Sequence, residues 1–155
     1  MTRSPNLLRA AVRLTLASPR TAWLMARMLI WKAALLLLKH VVALPKLVRL
    51  VERQRARALD PHERRRVEYA VRRLGRVLGG GDCLERSLVT YRFLLRAGVR
   101  PRLVIGFDRD NGRVEGHAWV TVDDEPVAES REALARYVEV AAFPAAAASS
   151  PAERT

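Results

Sequence analysis

The chain has 155 residues, half of them apolar, which is enough for one globular domain with a buried core. It contains a single cysteine, Cys83, so an internal disulfide is excluded and a reducing, cytoplasmic location is expected. The formal net charge of +12 is unevenly distributed, because residues 1–76 carry 18 Lys and Arg against 4 Asp and Glu. We therefore expect two functional regions, a basic first half and a nearly neutral second half.

The basic half is rich in Leu, Ala and Met from Pro19 to Arg57, with a cation every few residues. This pattern predicts helix, with a break at Pro45. Uncharged runs such as 33–38 are far shorter than the ~20 apolar residues that span a bilayer, so a transmembrane helix is not expected. Nor is a secretory signal, because the apolar run is late and interrupted by lysines.

Three roles remain open for these basic helices. They could contact an anionic membrane surface, bind an acidic peptide or a partner protein, or pack as a helical layer of the domain. Nucleic-acid binding is not expected, because the cations alternate with Leu and Val and few aromatic residues are available for stacking.

Two further helices are predicted from their caps. Asp60, followed by a proline, is a typical N-cap, and the apolar residues after it recur at helical spacing. After three glycines, Asp82 and Glu85 form the pattern of a capping box, which predicts a helix whose first residue is Cys83. Gly98 is expected to end that helix.

Strands follow these helices. β-branched and apolar runs predict strands, and Asp, Asn and Gly clusters predict the turns between them. The predicted strands are 101–107, 116–122 and a short third one at 125–129, with turns at 108–112 and 123–124. The predicted fold class is α+β, with N-terminal basic helices followed by the helix of Cys83 packed on a small antiparallel sheet. We divide the chain into a basic helical extension at 1–58, a core at 59–140 and a compositionally disordered tail at 141–155.

Alternation along the second strand assigns its side chains to two faces. One face is apolar and is the predicted core side; it carries Ala118, Val120 and Val122. The other face carries His117, Trp119 and Thr121. We expect the helix of Cys83 to pack on this second face, against His117.

Cys83 and His117 are the residue types that a nucleophilic enzyme requires. The positive end of a helix favours the thiolate form of a cysteine, and its free N–H groups can hydrogen-bond an oxyanion. A thiolate enzyme also needs an imidazole and a side chain that orients it. His117 is the candidate imidazole, and Asp123, Asp124 and Glu129 are the candidate acids.

The motifs DCLERSL (82–88), LLRAGV (94–99), RLVIGF (102–107) and GHAWVTVDDEPVAE (116–129) resemble the transglutaminase-like domain of lasso peptide leader peptidases. The resemblance covers residues 60–130, and the basic helical segment before them is also similar to that of the stand-alone members. It implies a papain-like cysteine peptidase that removes the leader from a ribosomally made precursor in the cytoplasm. The implied partners are the precursor peptide, a small leader-recognition protein and an asparagine-synthetase-like cyclase.

Carried over residue by residue, the resemblance makes Cys83 the nucleophile, His117 the general base and acid, and Glu129 the orienting acid. The family usually has Asp at this third position, so Asp123 and Asp124 stay open as alternatives. Two other functions also stay open: a noncatalytic module that binds peptides or membranes, and another transglutaminase-like acyl-transfer enzyme.

No cofactor is expected. One cysteine and three scattered histidines do not have the spacing of a zinc site, and the glycine-rich segment before Cys83 lacks the Lys-Ser/Thr ending of a phosphate-binding loop. His40 and His62 lie among basic helices without an acid or thiol pattern, and we interpret both as structural or surface residues.

Overall fold

The computed structural model describes residues 18–52, 58–77, 83–108 and 114–144. Within these ranges, four helices come first, followed by four strands with a one-turn helix before the last strand. The helices are α1 (Pro19–Leu38), α2 (Leu44–Glu52), α3 (Pro61–Val77), α4 (Cys83–Arg96) and α5 (Arg131–Leu134). The strands are β1 (Arg102–Asp108), β2 (Glu115–Val122), β3 (Glu125–Pro126) and β4 (Val138–Pro144).

The strands form one antiparallel sheet in the order β3-β2-β1-β4. In the register of β1 with β2, Val104 lies opposite Trp119 and Gly106 lies opposite His117. The predicted α+β class, with helices followed by a small antiparallel sheet, is therefore confirmed. Helix α5 and strand β4 were not predicted. Residues 141–144, predicted as part of the tail, belong to β4, where they pair with β1.

The N-terminal helices share one hydrophobic core with α4 and the sheet. The core side chains from α1 and α2 are buried together with Leu88 and Leu94 of α4 and Val120 of β2. Residues on both sides of position 58, the predicted domain boundary, therefore contribute to this core. The buried members from α1 and α2 are Leu24, Met25, Met28, Leu35, Leu47, Val48 and Val51.

Helix α4 packs on the apolar face of β2, not on the face of His117 as the sequence analysis expected. Val120 and Val122 belong to the same cluster as Leu88 of α4, whereas Trp119 belongs to a smaller cluster on the other side of the sheet. The alternation along β2 was predicted correctly, but the helix was assigned to the wrong face. Its apolar stripe needs an apolar surface, and only the valine face offers one.

The helix ends follow the local signals in the sequence. Asp60 caps α3, because its Oδ1 accepts hydrogen bonds from the backbone N–H groups of His62 at 2.9 Å and Glu63 at 3.2 Å. The break between α1 and α2 precedes Pro45, which is the second residue of α2, where a missing N–H is tolerated. Gly98 ends α4 with a positive φ of 79°, as predicted.

Two polar side chains of α4 are buried against α2. Tyr91 donates a hydrogen bond to Glu52 Oε1 at 2.7 Å, and burial together with this carboxylate raises the pKa of Tyr91 well above its usual range. The Arg92 guanidinium lies over the Trp31 ring, 3.6 Å from its centroid, and donates to Val51 O. Burial and neighbouring arginines lower the pKa of Arg92 to about 10. These contacts hold α4 against α1 and α2.

Candidate active site

Cys83 is the first residue of α4, as predicted, and its side chain is half-buried. Its Sγ lies 4.0 Å from Gly116 O, the carbonyl that immediately precedes His117. One turn later, Ser87 Oγ donates a hydrogen bond to Ala118 O at 2.8 Å. The first turn of α4 therefore lies along the start of β2, so Cys83 is next to the strand residues that flank His117.

The first turn of α4 is held by the N-terminal helices. The Glu85 carboxylate is buried and forms an ion pair with Lys39, the residue that follows α1. Its negative charge near a helix N-terminus is favourable. Asp82, the predicted N-cap, lies outside the described residues.

His117 forms a short hydrogen bond with Glu129. The distance between His117 Nε2 and Glu129 Oε2 is 2.8 Å, and both side chains are less than a fifth exposed. Because an ionised carboxylate can only accept hydrogen bonds, Nε2 is the protonated nitrogen in this pair. The other ring nitrogen, Nδ1, is then the one available to accept a proton.

The chain after β3 carries Glu129 toward His117. Val127 N donates to Val120 O at 2.8 Å, so this segment continues antiparallel along the edge of β2, toward the start of the strand. Ala128 then adopts a positive φ of 68°, a conformation that is unfavourable for a residue with a side chain. The strained residue therefore immediately precedes the glutamate that contacts His117.

Arg86 binds the second oxygen of the same carboxylate. Its Nη2 lies 2.8 Å from Glu129 Oε1, while Oε2 faces His117. Arg86 is three residues after Cys83 on α4, so this ion pair links the acid to the helix that carries the thiol. Arg86 was not among the predicted site residues, although it lies in the motif DCLERSL.

Aromatic side chains surround the His117 ring on its own face of the sheet. The ring stacks on Tyr137, with the centroids 4.7 Å apart and the planes at 22°, and Trp119 lies 6.1 Å away. Gly106, opposite His117 in the register, leaves room for the indole, since a Cβ there would lie 2.8 Å from Trp119. Tyr137 is a second contact of the candidate site that the sequence analysis missed.

Asp123 and Asp124, the alternative acids, occupy the turn between β2 and β3. Both have positive φ angles, 53° and 63°, as the two central residues of a type I′ hairpin turn do. Both side chains are exposed, and Asp124 forms an ion pair with Arg102. Of the three candidate acids, Glu129 is the one that the structure brings to His117.

No hydrogen bond joins Cys83 to the His117 ring within the part of the chain that the structure describes. Catalytic hydrogen bonds are often long before substrate binds and shorten in the complex. The arrangement thus provides a thiol at a helix start, an imidazole on the residue that follows the carbonyl contacted by this thiol, and a carboxylate held on both oxygens.

A cavity of about 410 Å³ is lined in part by Glu129. It is formed between α3, α4 and the segment after β3, and Arg86, Thr90 and Glu129 contribute to its polar lining. Val71 and Val120 supply apolar surface. Among the described residues, no group of His, Cys, Asp and Glu side chains could hold a metal ion, and His40 and His62 are exposed.

Comparison with protein families identifies the chain. The family model of the transglutaminase-like superfamily matches residues 25–142. The chain belongs to this superfamily. Its members commonly use cysteine-based catalysis and include cysteine peptidases and acyltransferases. The same comparisons found no match among curated proteins or solved structures.

The match to the transglutaminase-like superfamily extends well beyond the predicted core. It begins within α1 and ends within β4, so it contains Cys83, His117 and Glu129 as well as most of the N-terminal helical layer. The helices before residue 58 therefore lie largely within the transglutaminase-like match. This agrees with their contribution to the common hydrophobic core.

Proposed function

We propose that this transglutaminase-like chain is a cysteine peptidase that removes the leader from a ribosomally made lasso peptide precursor. The observation that carries the proposal is the 2.8 Å contact between His117 and Glu129, together with a thiol at a helix start whose Sγ lies 4.0 Å from Gly116 O. The resemblance of the motifs around these residues to leader peptidases supports the choice of substrate.

The proposed reaction has two stages. His117 takes the proton of the Cys83 thiol, and the sulfur attacks the carbonyl carbon of the scissile peptide bond. His117 then protonates the leaving amine, which releases the core peptide with a new N-terminus and leaves the leader bound as a thioester. Water, deprotonated by His117, attacks the thioester and releases the leader as a carboxylate, restoring the thiol.

The backbone at the start of α4 has a separate role in this reaction. The first N–H groups of a helix have no intrahelical partners. They are available to hydrogen-bond the oxyanion that forms on the attacked carbonyl, while the helix dipole favours negative charge there. No step requires a cofactor.

Glu129 and Arg86 are proposed to orient the histidine. Glu129 keeps the proton on Nε2 and leaves Nδ1 to accept the proton of the thiol, while Arg86 fixes the other carboxylate oxygen. A glutamate side chain is one methylene longer than the aspartate usual in the resembling family. The Arg86 contact gives this longer side chain a defined position.

The proposed partners follow from the proposed substrate. We propose that a small leader-recognition protein presents the precursor and that an asparagine-synthetase-like cyclase uses the amine released by cleavage. Both events are proposed to take place in the cytoplasm.

The direct test is incubation of the protein with its precursor and the leader-recognition protein, followed by mass spectrometry of the peptides. We expect a leader-sized fragment and a core peptide from the wild type. Cys83→Ala should abolish both, because no other cysteine is present to act as nucleophile. The matched control is His62→Ala, an exposed histidine in the first turn of α3, which should cleave at the wild-type rate.

The same cleavage assay tests the proposal that Glu129 is the acid that orients His117. Glu129→Ala should lower the cleavage rate by about 10²-fold or more, whereas Asp123→Ala and Asp124→Ala should stay within about threefold of the wild type. Undiminished cleavage by Cys83→Ala would refute the nucleophile assignment. An intact precursor that binds but is never cleaved would instead favour a noncatalytic binding module.

A further inference from the structure

Helix α1 has two apolar faces, only one of which is covered by the residues that the structure describes. Leu24, Met28 and Leu35 lie in the hydrophobic core. On the opposite side, Trp23, Ile30 and Leu37 recur every seven residues, which aligns them along one line of the helix. Their exposed fractions are 65%, 65% and 73%, and Val41, just beyond the helix, is 81% exposed. We call Trp23, Ile30, Leu37 and Val41 the outer face of α1.

This face differs from scattered surface hydrophobic residues, which are common in globular proteins. It is a continuous stripe on a helix that is apolar around most of its circumference, a property of helices buried in protein or in lipid. By length and composition alone, α1 could cross a membrane, with a mean hydropathy of 1.5 over its most apolar window. From the sequence, a transmembrane helix was not expected, because the uncharged runs of this segment are short.

The buried face of α1, which carries Leu24, Met28 and Leu35, restricts how this helix could contact a membrane. Crossing the bilayer would remove Leu24, Met28 and Leu35 from the core that they share with α4. The ion pair between Lys39 and the buried Glu85 would also be lost. A helix that keeps these contacts can only lie along a membrane surface, with its outer face toward the lipid.

The charge around the outer face has the sign that suits an anionic surface. Arg20 is exposed at the start of α1, close to Trp23. Lys46 and Arg49 are exposed on α2, where they line an open groove together with Val42, the neighbour of Val41. The first 76 residues carry a net charge of +14, so a surface of anionic lipid complements this half of the protein.

We propose that the outer face of α1 docks on an anionic phospholipid membrane, with α1 parallel to the surface and its apolar stripe at the boundary of headgroups and acyl chains. This surface is distinct from the candidate active site and does not depend on the proposed peptidase activity. Docking would hold the enzyme at a membrane while α4 and the sheet stay above it.

The test is sedimentation of the full-length protein with vesicles. The probes are vesicles of phosphatidylcholine mixed with phosphatidylglycerol and vesicles of phosphatidylcholine alone. We expect the wild type to partition onto the anionic vesicles, and Ile30→Asn with Leu37→Asn to weaken partitioning by more than about tenfold. The matched control is Val138→Asn with Val140→Asn, two exposed apolar residues of β4, which should bind like the wild type.

A charge variant separates the electrostatic contribution from the apolar one. Lys46→Glu with Arg49→Glu should also weaken binding by about tenfold, and added salt should weaken wild-type binding. All substitutions are at exposed positions, so thermal unfolding followed by circular dichroism should match the wild type in every variant.

Three results would overturn the proposal. The first is wild-type protein that sediments with neither kind of vesicle. The second is equal vesicle binding by the wild type and by Ile30→Asn with Leu37→Asn. The third is a wild-type dimer that this variant makes monomeric, without vesicle binding by either protein, because the outer face would then be an interface between two copies of the chain.

Discussion

The two faces of the sheet differ in size and in the kind of residue they hold. On one face, Val120 and Val122 join a large cluster that includes the buried side chains of α1, α2, α3 and α4. On the other face, the buried cluster consists of Val104, Trp119 and Leu134, with Tyr137 packed against it. His117 stacks on this smaller cluster.

The two faces therefore have different roles, one mainly in stability and the other in the geometry of the candidate site. The large cluster supplies most of the apolar burial, and the small one supplies a surface that fixes one imidazole ring. The candidate site joins them, since Cys83 and Arg86 come from the helix on the large face whereas Tyr137 belongs to the small face. Glu129 connects the two sides by binding Arg86 and His117 at once.

The largest expected contrast is in stability. Leu94 is fully buried in the large cluster, and Leu134 is 8% exposed in the small one. We expect Leu94→Ala to lower the free energy of unfolding by about 4 kcal/mol and Leu134→Ala by about 2 kcal/mol, because a cavity in the larger cluster removes more contacts. Urea unfolding followed by circular dichroism measures both, and equal losses would contradict the division between the faces.

A smaller effect is expected from the ring that supports His117. Tyr137→Ala should lower the free energy of unfolding by about 1 kcal/mol through the lost aromatic pair, in addition to the apolar burial lost with the ring, and should reduce leader cleavage by about tenfold. The imidazole would lose the ring that it stacks on. Tyr137→Phe keeps that ring and should retain both properties; if Tyr137→Ala also cleaves at the wild-type rate, the small face has no role in positioning His117.

Local signals in the sequence were sufficient for most of the fold. The Asp60 cap, the positive φ required at Gly98 and the apolar alternation along β2 are all encoded within a few neighbouring residues, and each predicted its element. The hairpin turn at 123–124 was likewise predicted. The choice of Glu129 as candidate acid came from the family resemblance, and it is the candidate that lies beside His117.

What could not be predicted depends on residues far apart in the chain. The sequence of residues 141–148 is rich in alanine, so composition indicated a tail from residue 141, and only pairing with β1 makes residues 141–144 part of a strand. Tyr137 carries no motif, and its contact with His117 arises from that same pairing. The predicted packing face of α4 was wrong for a different reason. Cys83 lies at the very end of the helix, so its contact with the strand beside His117 does not require α4 to cover the His117 face of the sheet.

The proposed activity requires Cys83 to be a nucleophile that is activated by His117, which Glu129 orients. Alkylation by iodoacetamide at neutral pH tests it without substrate or partner, and intact mass reports on Cys83 alone because it is the only cysteine. We predict that the wild type reacts fastest, Arg86→Gln and Glu129→Ala more slowly, and His117→Ala slowest, with His62→Ala matching the wild type. Equal alkylation rates in the wild type and His117→Ala would contradict this activation of Cys83 by His117.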